Sequence, residues 1–115
     1  FIFDCWYGPA VLSDKPYKRN KKFENDEITI NRQAIPRNHP TKNQVDVQFD
    51  IKITNKQSGE SERIKETHVM RYLFNPEIEI LLKMNNLKLL HSEEWITGNK
   101  PDFNSWYVTF ICERI

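Results

Sequence analysis

The sequence predicts an α+β fold in which antiparallel strands outnumber helices. Apolar and polar side chains alternate over residues 45–53, which is the pattern of a half-buried antiparallel strand. One segment, beginning at Asn75-Pro76, has helix-start residues followed by helical spacing. Residues 106–112 alternate again and are apolar on both sides. This closing strand is therefore expected inside a sheet.

The first half of the chain is expected to be β-rich. Residues 27–32 alternate like a strand, and the segment 35–40, with two prolines, is expected to form a loop that interrupts the ladder. Turn residues at 55–59 then predict a hairpin into a strand running from 62 toward 73. One side of that strand carries Ile64, Glu66, His68, Met70 and Tyr72. The other side carries Lys65, Thr67, Val69, Arg71 and Leu73.

The one predicted helix follows this strand. Asn75 is expected to cap it, Pro76 suits its first position, and Glu77 favours the positive end of the helix dipole. Asn85-Asn86 is expected to stop the helix in the left-handed conformation. Residues 87–97 return to extended structure, and a polar loop at 98–102 precedes the closing strand. The predicted apolar stripe of the helix is Ile78, Leu81, Leu82 and, at its margin, Met84.

Composition restricts the possible partners. The chain has 115 residues, enough for one domain, and its 17 basic and 16 acidic side chains give a net charge of +1. Such a balance produces no field that would gather polyanions or anionic membranes. No apolar run approaches the roughly 20 residues of a membrane span. We therefore expect a cytoplasmic protein with no membrane partner.

Two local patterns are weighed against simpler interpretations. Residues 15–23 combine cations with aromatics, as single-stranded nucleic-acid sites do, but the acidic stretch 24–27 follows at once. A solvated connector is the favoured interpretation, and no nucleic-acid partner is expected. Cys5 and Cys112 are expected to be buried thiols rather than a disulfide. The chain's three histidines are far apart and predict no metal site: His39, His68 and His91.

Two segments resemble class I S-adenosylmethionine-dependent methyltransferases. Phe-Asp-Cys-Trp-Tyr-Gly-Pro-Ala-Val at residues 3–11 is similar to the segment that leaves their fifth strand. Glu-Thr-His-Val-Met-Arg-Tyr-Leu-Phe at 66–74, followed by Asn-Pro-Glu-Ile, resembles their run into the helix before the sixth strand. Many relatives follow that helix with Ala-Gly-Phe, where this chain has residues 85–87, Asn-Asn-Leu. Asn also tolerates the left-handed conformation, so this departure is mild.

The resemblance implies a C-terminal region, similar to small-molecule and amino-sugar N-methyltransferases with a β-rich insertion. Residues 1–12 and 74–115 would be the end of the main sheet, and 13–73 the antiparallel insertion. The chain would begin inside a strand of a longer polypeptide whose N-terminal half binds S-adenosylmethionine. It also implies that the last strand lies antiparallel beside the first, with Cys5 and Cys112 in neighbouring strands.

The resemblance further implies how the chain behaves alone. Such enzymes bind the cofactor on a Gly-rich turn, whereas Gly8, Gly59 and Gly98 are isolated. The chain alone is therefore expected neither to bind the cofactor tightly nor to turn over. An unpaired strand edge at residues 1–4 would favour a homodimer. The alternative is a stand-alone α+β module that binds a ligand or partner without chemistry.

Two groups of residues are candidates for acceptor binding. Trp6 and Tyr7 follow the first strand, where ligands of open α/β sheets bind, and could wall a pocket or simply pack the insertion onto the sheet. His68 could act as a general base or orient the acceptor. Glu66 shares its face and could orient it, or merely pair with a lysine.

Two further residues of the same strand are weaker candidates. Arg71 could hold an anionic acceptor, and Tyr72 could supply a hydroxyl. Alternation places Tyr72 with His68 and Arg71 on the opposite face. All three can therefore line one pocket only if the strand bulges.

Overall fold

Seven strands and two short helices make up the computed structural model, which describes residues 1–115. A single turn of 3-10 helix, Pro40–Lys42, joins the third and fourth strands. The elements in chain order are β1 (Ile2–Tyr7), α1 (Gly8–Ser13), β2 (Arg19–Glu24), β3 (Ile28–His39), β4 (Gln44–Asn55), β5 (Ser61–Leu73), α2 (Asn75–Met84), β6 (Leu87–Glu94) and β7 (Tyr107–Arg114).

The chain divides into two compact units. The terminal unit comprises Phe1–Lys15 and Arg71–Ile115, and the central unit comprises Pro16–Met70. Strand β5 runs from the central unit into the terminal one. Whether the central unit is an insertion into a larger sheet stays a prediction.

In the terminal unit the strand order is β5-β1-β7-β6. Strand β7 lies antiparallel to both neighbours, with Phe3 opposite Phe110 on one side and Leu89 opposite Cys112 on the other. The end of β5 is parallel to β1 and pairs with it only at Trp6 and Tyr7. The predicted interior position of the closing strand, antiparallel beside the first, is confirmed.

Helix α2 covers one face of this sheet. Alternation along β1 turns Phe3, Cys5 and Tyr7 toward the same core. Burying a large apolar side chain contributes roughly 1.5–3 kcal/mol, so this layer accounts for much of the unit's stability. The buried members of the cluster are Ile78, Leu82, Val108, Phe110 and Cys112.

The predicted start and stripe of α2 need correction. Phe74 is the N-cap, and Asn75 is already helical, donating from its side chain to Glu79 Oε1. Leu81 and Met84 are 44% and 75% exposed, so the buried stripe is narrower than predicted. Only the i, i+4 pair facing the sheet is buried, because α2 contacts a single layer. The predicted stop is confirmed, with Asn86 at φ 56°.

Helix α1 was not predicted. It follows β1 directly and buries Ala10 and Val11. Its six residues are too few for a helical period, and Gly8-Pro9 resembles a turn. Proline is nevertheless compatible with the first helical turn, because the N–H it lacks has no helical acceptor there.

The central unit has the strand order β2-β3-β4-β5. The prediction of a loop at residues 35–40 was wrong for residues 35–39, which belong to β3. This strand pairs with β4 without interruption, and Pro36 lies opposite Val47. Strand β2 pairs with β3 only as far as Ala34, so the outer side of β3 is open at Pro36. A proline without an N–H is tolerated at such an edge.

The segment expected to be a connector is partly a strand. All six residues of β2 are exposed, so the strand carries no alternating apolar signal, but it pairs with β3 from Arg19 to Glu24. The predicted hairpin between β4 and β5 is confirmed. Gly59 has φ 73°, and Asn55 Oδ1 accepts the backbone N–H groups of Gln57 and Ser58 at 2.9 and 3.1 Å.

Cys5 and Cys112 lie in neighbouring strands, as the resemblance implied, and both are free thiols. Cys5 is opposite Val108 rather than Cys112. Burial raises the pKa of the Cys5 thiol to about 11, with smaller contributions from the charges of Asp4 and Glu77. Burial likewise raises the pKa of Cys112.

Candidate functional site

Trp6 and Tyr7 lie at the carboxyl end of β1, but they face opposite sides of the sheet. Tyr7 packs against the core beneath α2, and burial raises the pKa of its hydroxyl, with a smaller effect from Cys5. Trp6 meets the ring of Trp106 edge to face, with centroids 5.4 Å apart and planes at 79°. Of the two predicted residues, only Trp6 is therefore on the face opposite α2.

Further aromatic residues surround Trp6. Tyr107 is its partner in the β1–β7 ladder, with ring centroids 6.4 Å apart, and Trp95 lies 6.1 Å from Tyr107. Trp95 and Tyr107 are 51% and 46% exposed, so their rings are accessible. We call Trp6, Trp95, Trp106 and Tyr107 the aromatic corner.

The aromatic corner is fixed by backbone hydrogen bonds. The Tyr7 N–H donates to the Trp106 carbonyl at 2.8 Å, and the Trp95 N–H donates to the Tyr107 carbonyl at 2.9 Å. One carboxylate adjoins the cluster, because Trp106 Nε1 donates to Asp14 Oδ2 at 3.4 Å. Sequence reasoning missed this arrangement, since Asp14 and Trp106 are 92 residues apart in the chain.

The β6–β7 loop leading to Trp106 is held by a buried serine. Ser105 Oγ donates to Glu94 Oε2 at 2.6 Å and accepts from the Asp102 N–H at 3.0 Å. Thr97 Oγ1 donates to Glu94 Oε1 at 3.1 Å. Ser105 is fully buried, so its own two bonds are partly shielded from competing water. The loop therefore presents Trp106 from a rigid base.

The predicted base His68 lies in the central unit. Its Nε2 is 3.0 Å from Glu66 Oε2, and its ring is 4.9 Å from that of Phe49. Both members of the His68–Glu66 pair are exposed. A carboxylate beside the ring can orient a histidine, as an acid–base residue requires.

Arg71 and Tyr72 lie in the terminal unit and are already engaged. Arg71 Nη2 donates to Glu77 Oε1, which ties the end of β5 to the start of α2. Tyr72 is buried and meets Phe74 edge to face at 5.9 Å. An anionic acceptor would have to compete with Glu77 for Arg71.

The central unit holds a second aromatic cluster that sequence reasoning missed. The Arg32 guanidinium carbon is 5.6 Å from the ring centroid of Phe23 and 5.5 Å from that of Phe49. The cluster continues from Phe49 to His68 and crosses β2, β3, β4 and β5. Strand register could have suggested it only if β2 had been recognised.

The three glycines lie in separate parts of the structure and do not form a Gly-rich turn. Gly8 follows a strand and opens a helix, but the space a Cβ would take there is filled by the Phe74 ring. Gly59 and Gly98 have φ values of 73° and 72° in turns of the chain. Each glycine is accounted for by local backbone or packing needs.

No three His, Cys, Asp or Glu side chains of residues 1–115 lie together as a metal site would require. Neither helix is long and apolar enough to cross a bilayer.

Comparison with known proteins identifies the fold. No protein-family model and no curated protein matches the sequence. The chain matches the structure of an S-adenosylmethionine-dependent methyltransferase from Clostridium acetobutylicum ATCC 824 with a TM-score of 0.72 and 18% identity. That match covers 99% of this chain and 44% of the methyltransferase.

Two sugar methyltransferases match in the same way. The sugar N-methyltransferase KedS8 from Streptoalloteichus sp ATCC 53650 has a TM-score of 0.66 at 7% identity, covering 96% of this chain and 41% of that one. CalS10, an amino pentose methyltransferase from Micromonospora echinaspora solved with S-adenosylmethionine bound, has a TM-score of 0.57 at 10% identity, covering 82% and 36%.

This chain spans less than half the length of these structures. Its mixed sheet and its α2 layer correspond to part of a class I methyltransferase fold, as the resemblance predicted. The predicted α+β class is confirmed.

Proposed function

We propose that the chain is the acceptor-recognition and assembly region of an S-adenosylmethionine-dependent methyltransferase that acts on a small molecule. The observation that supports this most is the fold match over 99% of the chain to part of a methyltransferase. The match to KedS8 and CalS10 favours an amino sugar or related amine as the acceptor. The cofactor pocket would come from another part of a longer polypeptide.

The open edge of β1 supports the proposal that the cofactor pocket comes from another part of the polypeptide. One side of β1 pairs with β7 from Ile2 to Trp6, whereas the other side pairs with β5 only at Trp6 and Tyr7. The backbone from Ile2 to Cys5 therefore has no neighbouring strand on that side. Free N–H and C=O groups at a strand edge are a template for a further strand. We propose that the segment with the cofactor pocket docks here.

The His68–Glu66 pair is the best acid–base candidate within this proposal. The acceptor nitrogen needs a free lone pair, and a histidine oriented by a carboxylate can take up its proton. Trp6 would contribute to the acceptor wall, while the paired Arg71 and the buried Tyr72 would hold β5 and α2 in place.

The experiment is methyl transfer by the polypeptide that includes the reading frame upstream of Phe1. We expect labelled methyl groups to pass to at least one member of an amino-sugar and amine panel. His68→Ala should lower kcat about 100-fold or more, as loss of general base catalysis does.

A matched control is available. His91 and Glu93 form a second exposed pair at 3.1 Å on β6, so His91→Ala should leave kcat unchanged. An independent start codon near Phe1, with no transfer to any acceptor, would instead favour the stand-alone binding module.

A further inference from the structure

The aromatic corner and its carboxylate have the chemistry of a cation site. Aromatic ring faces carry partial negative charge, and the four rings come from three places in the sequence, meeting on one face of the terminal sheet. The planes of Trp6 and Trp106 are nearly perpendicular, at 79°. In an edge-to-face pair the edge of one ring covers part of the other ring's face, so the faces open to a cation are chiefly those of the exposed Trp95 and Tyr107.

Asp14 adds an exposed carboxylate beside the rings. Its backbone N–H donates to the Ala10 carbonyl at 2.8 Å, so it is held at the end of α1. The hydrogen bond from Trp106 uses Oδ2, which leaves Oδ1 for a ligand. A carboxylate beside aromatic rings repels anions and attracts a positively charged nitrogen.

We propose that the aromatic corner and Asp14 bind an organic ammonium ion. An apolar segment of protein is a poorer occupant. It would bury the Asp14 carboxylate without a positive partner, and removing an unpaired charge from water is costly. Identifying this ammonium ion with the acceptor or its methylated product rests on the proposed function. The binding itself does not.

The corner is a recognition subsite rather than the point of methyl transfer. A protonated or fully methylated nitrogen has no lone pair and cannot attack a methyl group. The group bound here is therefore a charged nitrogen of the incoming acceptor or of the product.

The test is an NMR titration of the 115-residue chain. Its three tryptophans give three indole N–H signals, which single Trp→Phe variants assign. We expect tetramethylammonium chloride to shift all three signals saturably. The neutral tert-butyl alcohol, similar in shape, and sodium chloride at equal ionic strength should not. Asp14→Asn should weaken tetramethylammonium binding roughly fivefold or more, since one charged contact is lost.

Asp26→Asn, which removes an exposed carboxylate of the central unit, is the matched control and should leave binding unchanged. Equal shifts with tert-butyl alcohol would show that the corner is only an apolar patch and would overturn the proposal. Indole signals in the longer polypeptide that no longer respond to tetramethylammonium would overturn it too, because the corner would then be a packing surface.

If tetramethylammonium does not bind, the methyl-transfer assay still tests the proposed function independently. Conversely, a methyltransferase without activity on any amine could still bind tetramethylammonium at the corner.

Discussion

Gly8 lies directly under the ring of Phe74. A Cβ at residue 8 would come within less than 3.0 Å of three ring atoms. Gly8→Ala should therefore lower the free energy of unfolding by about 1–3 kcal/mol, as overpacking of a well-filled site does. Urea denaturation followed by circular dichroism measures this.

The double variant Gly8→Ala with Phe74→Leu distinguishes the clash from a backbone effect. The smaller side chain makes room for the new methyl group, so the two effects should not add. Strict additivity would show that the Phe74 contact is not the cause.

The thiol of Cys5 is expected to be unreactive in the folded chain. Its pKa of about 11 leaves roughly 100-fold less thiolate at pH 8 than the ordinary value of 9.0 would. Iodoacetamide should therefore modify Cys5 far more slowly in the folded state than in urea, measured by mass spectrometry on Cys112→Ala. Equal rates in the two states would contradict this.

The raised pKa of Cys5 also makes the stability of the fold depend on pH. The folded state holds the Cys5 proton to higher pH than the unfolded chain does. The stability that this difference contributes is complete below pH 9 and is lost as the pH rises from 9 toward 11. In Cys5→Ala, the free energy of unfolding should therefore fall less between pH 9 and pH 11 than it does in the wild type.

Individual contacts were predictable only where they are local. The Glu66 and His68 pairing follows from their shared face of one strand. Asp14 and Trp106 meet only because β1 and β7 are neighbours. No spacing in the sequence indicates that contact.

Ser105 holds the loop between β6 and β7. Ser105→Ala would leave the Glu94 carboxylate and the Asp102 N–H short of a partner, at a cost of about 1–3 kcal/mol. We expect faster amide hydrogen exchange in residues 95–106, with little change in β1. The exposed Ser61→Ala is the control. Unchanged exchange in the loop would show that Ser105 does not hold it.

Elements with clear alternation or helical spacing were predicted well, and the edge strand was not. Strand β4 alternates because one face is more buried than the other. Strand β2 is exposed on both faces, so its sequence carries no such pattern. Pro36 suggested a break in the ladder. Strand β3 nevertheless continues through it, because β2 does not pair with β3 at this position and no N–H is needed on that side.

The open edge of β1 should also govern how the isolated chain associates. Ile2 is 66% exposed, and the edge from Ile2 to Cys5 is unpaired on one side. We expect a dimer by light scattering, and Ile2→Lys should give a monomer because a charged edge opposes strand addition. Ile80→Lys, on the exposed face of α2, should remain dimeric. A clean wild-type monomer at high concentration would contradict this prediction.

The alternation of single strands predicted only an α+β fold. The assignment to part of a methyltransferase sheet depended on the segments at residues 3–11 and 66–74, where a strand runs into a helix. The aromatic corner leaves no such mark, because its residues are distant from one another in the sequence.

The central claim is that the methyl-donor pocket lies outside this chain. Calorimetric titration of S-adenosylmethionine into the 115-residue chain, and into the polypeptide with its upstream reading frame, tests it most directly. We predict micromolar binding by the longer polypeptide and none by the chain alone. Micromolar binding by the 115-residue chain would contradict the account.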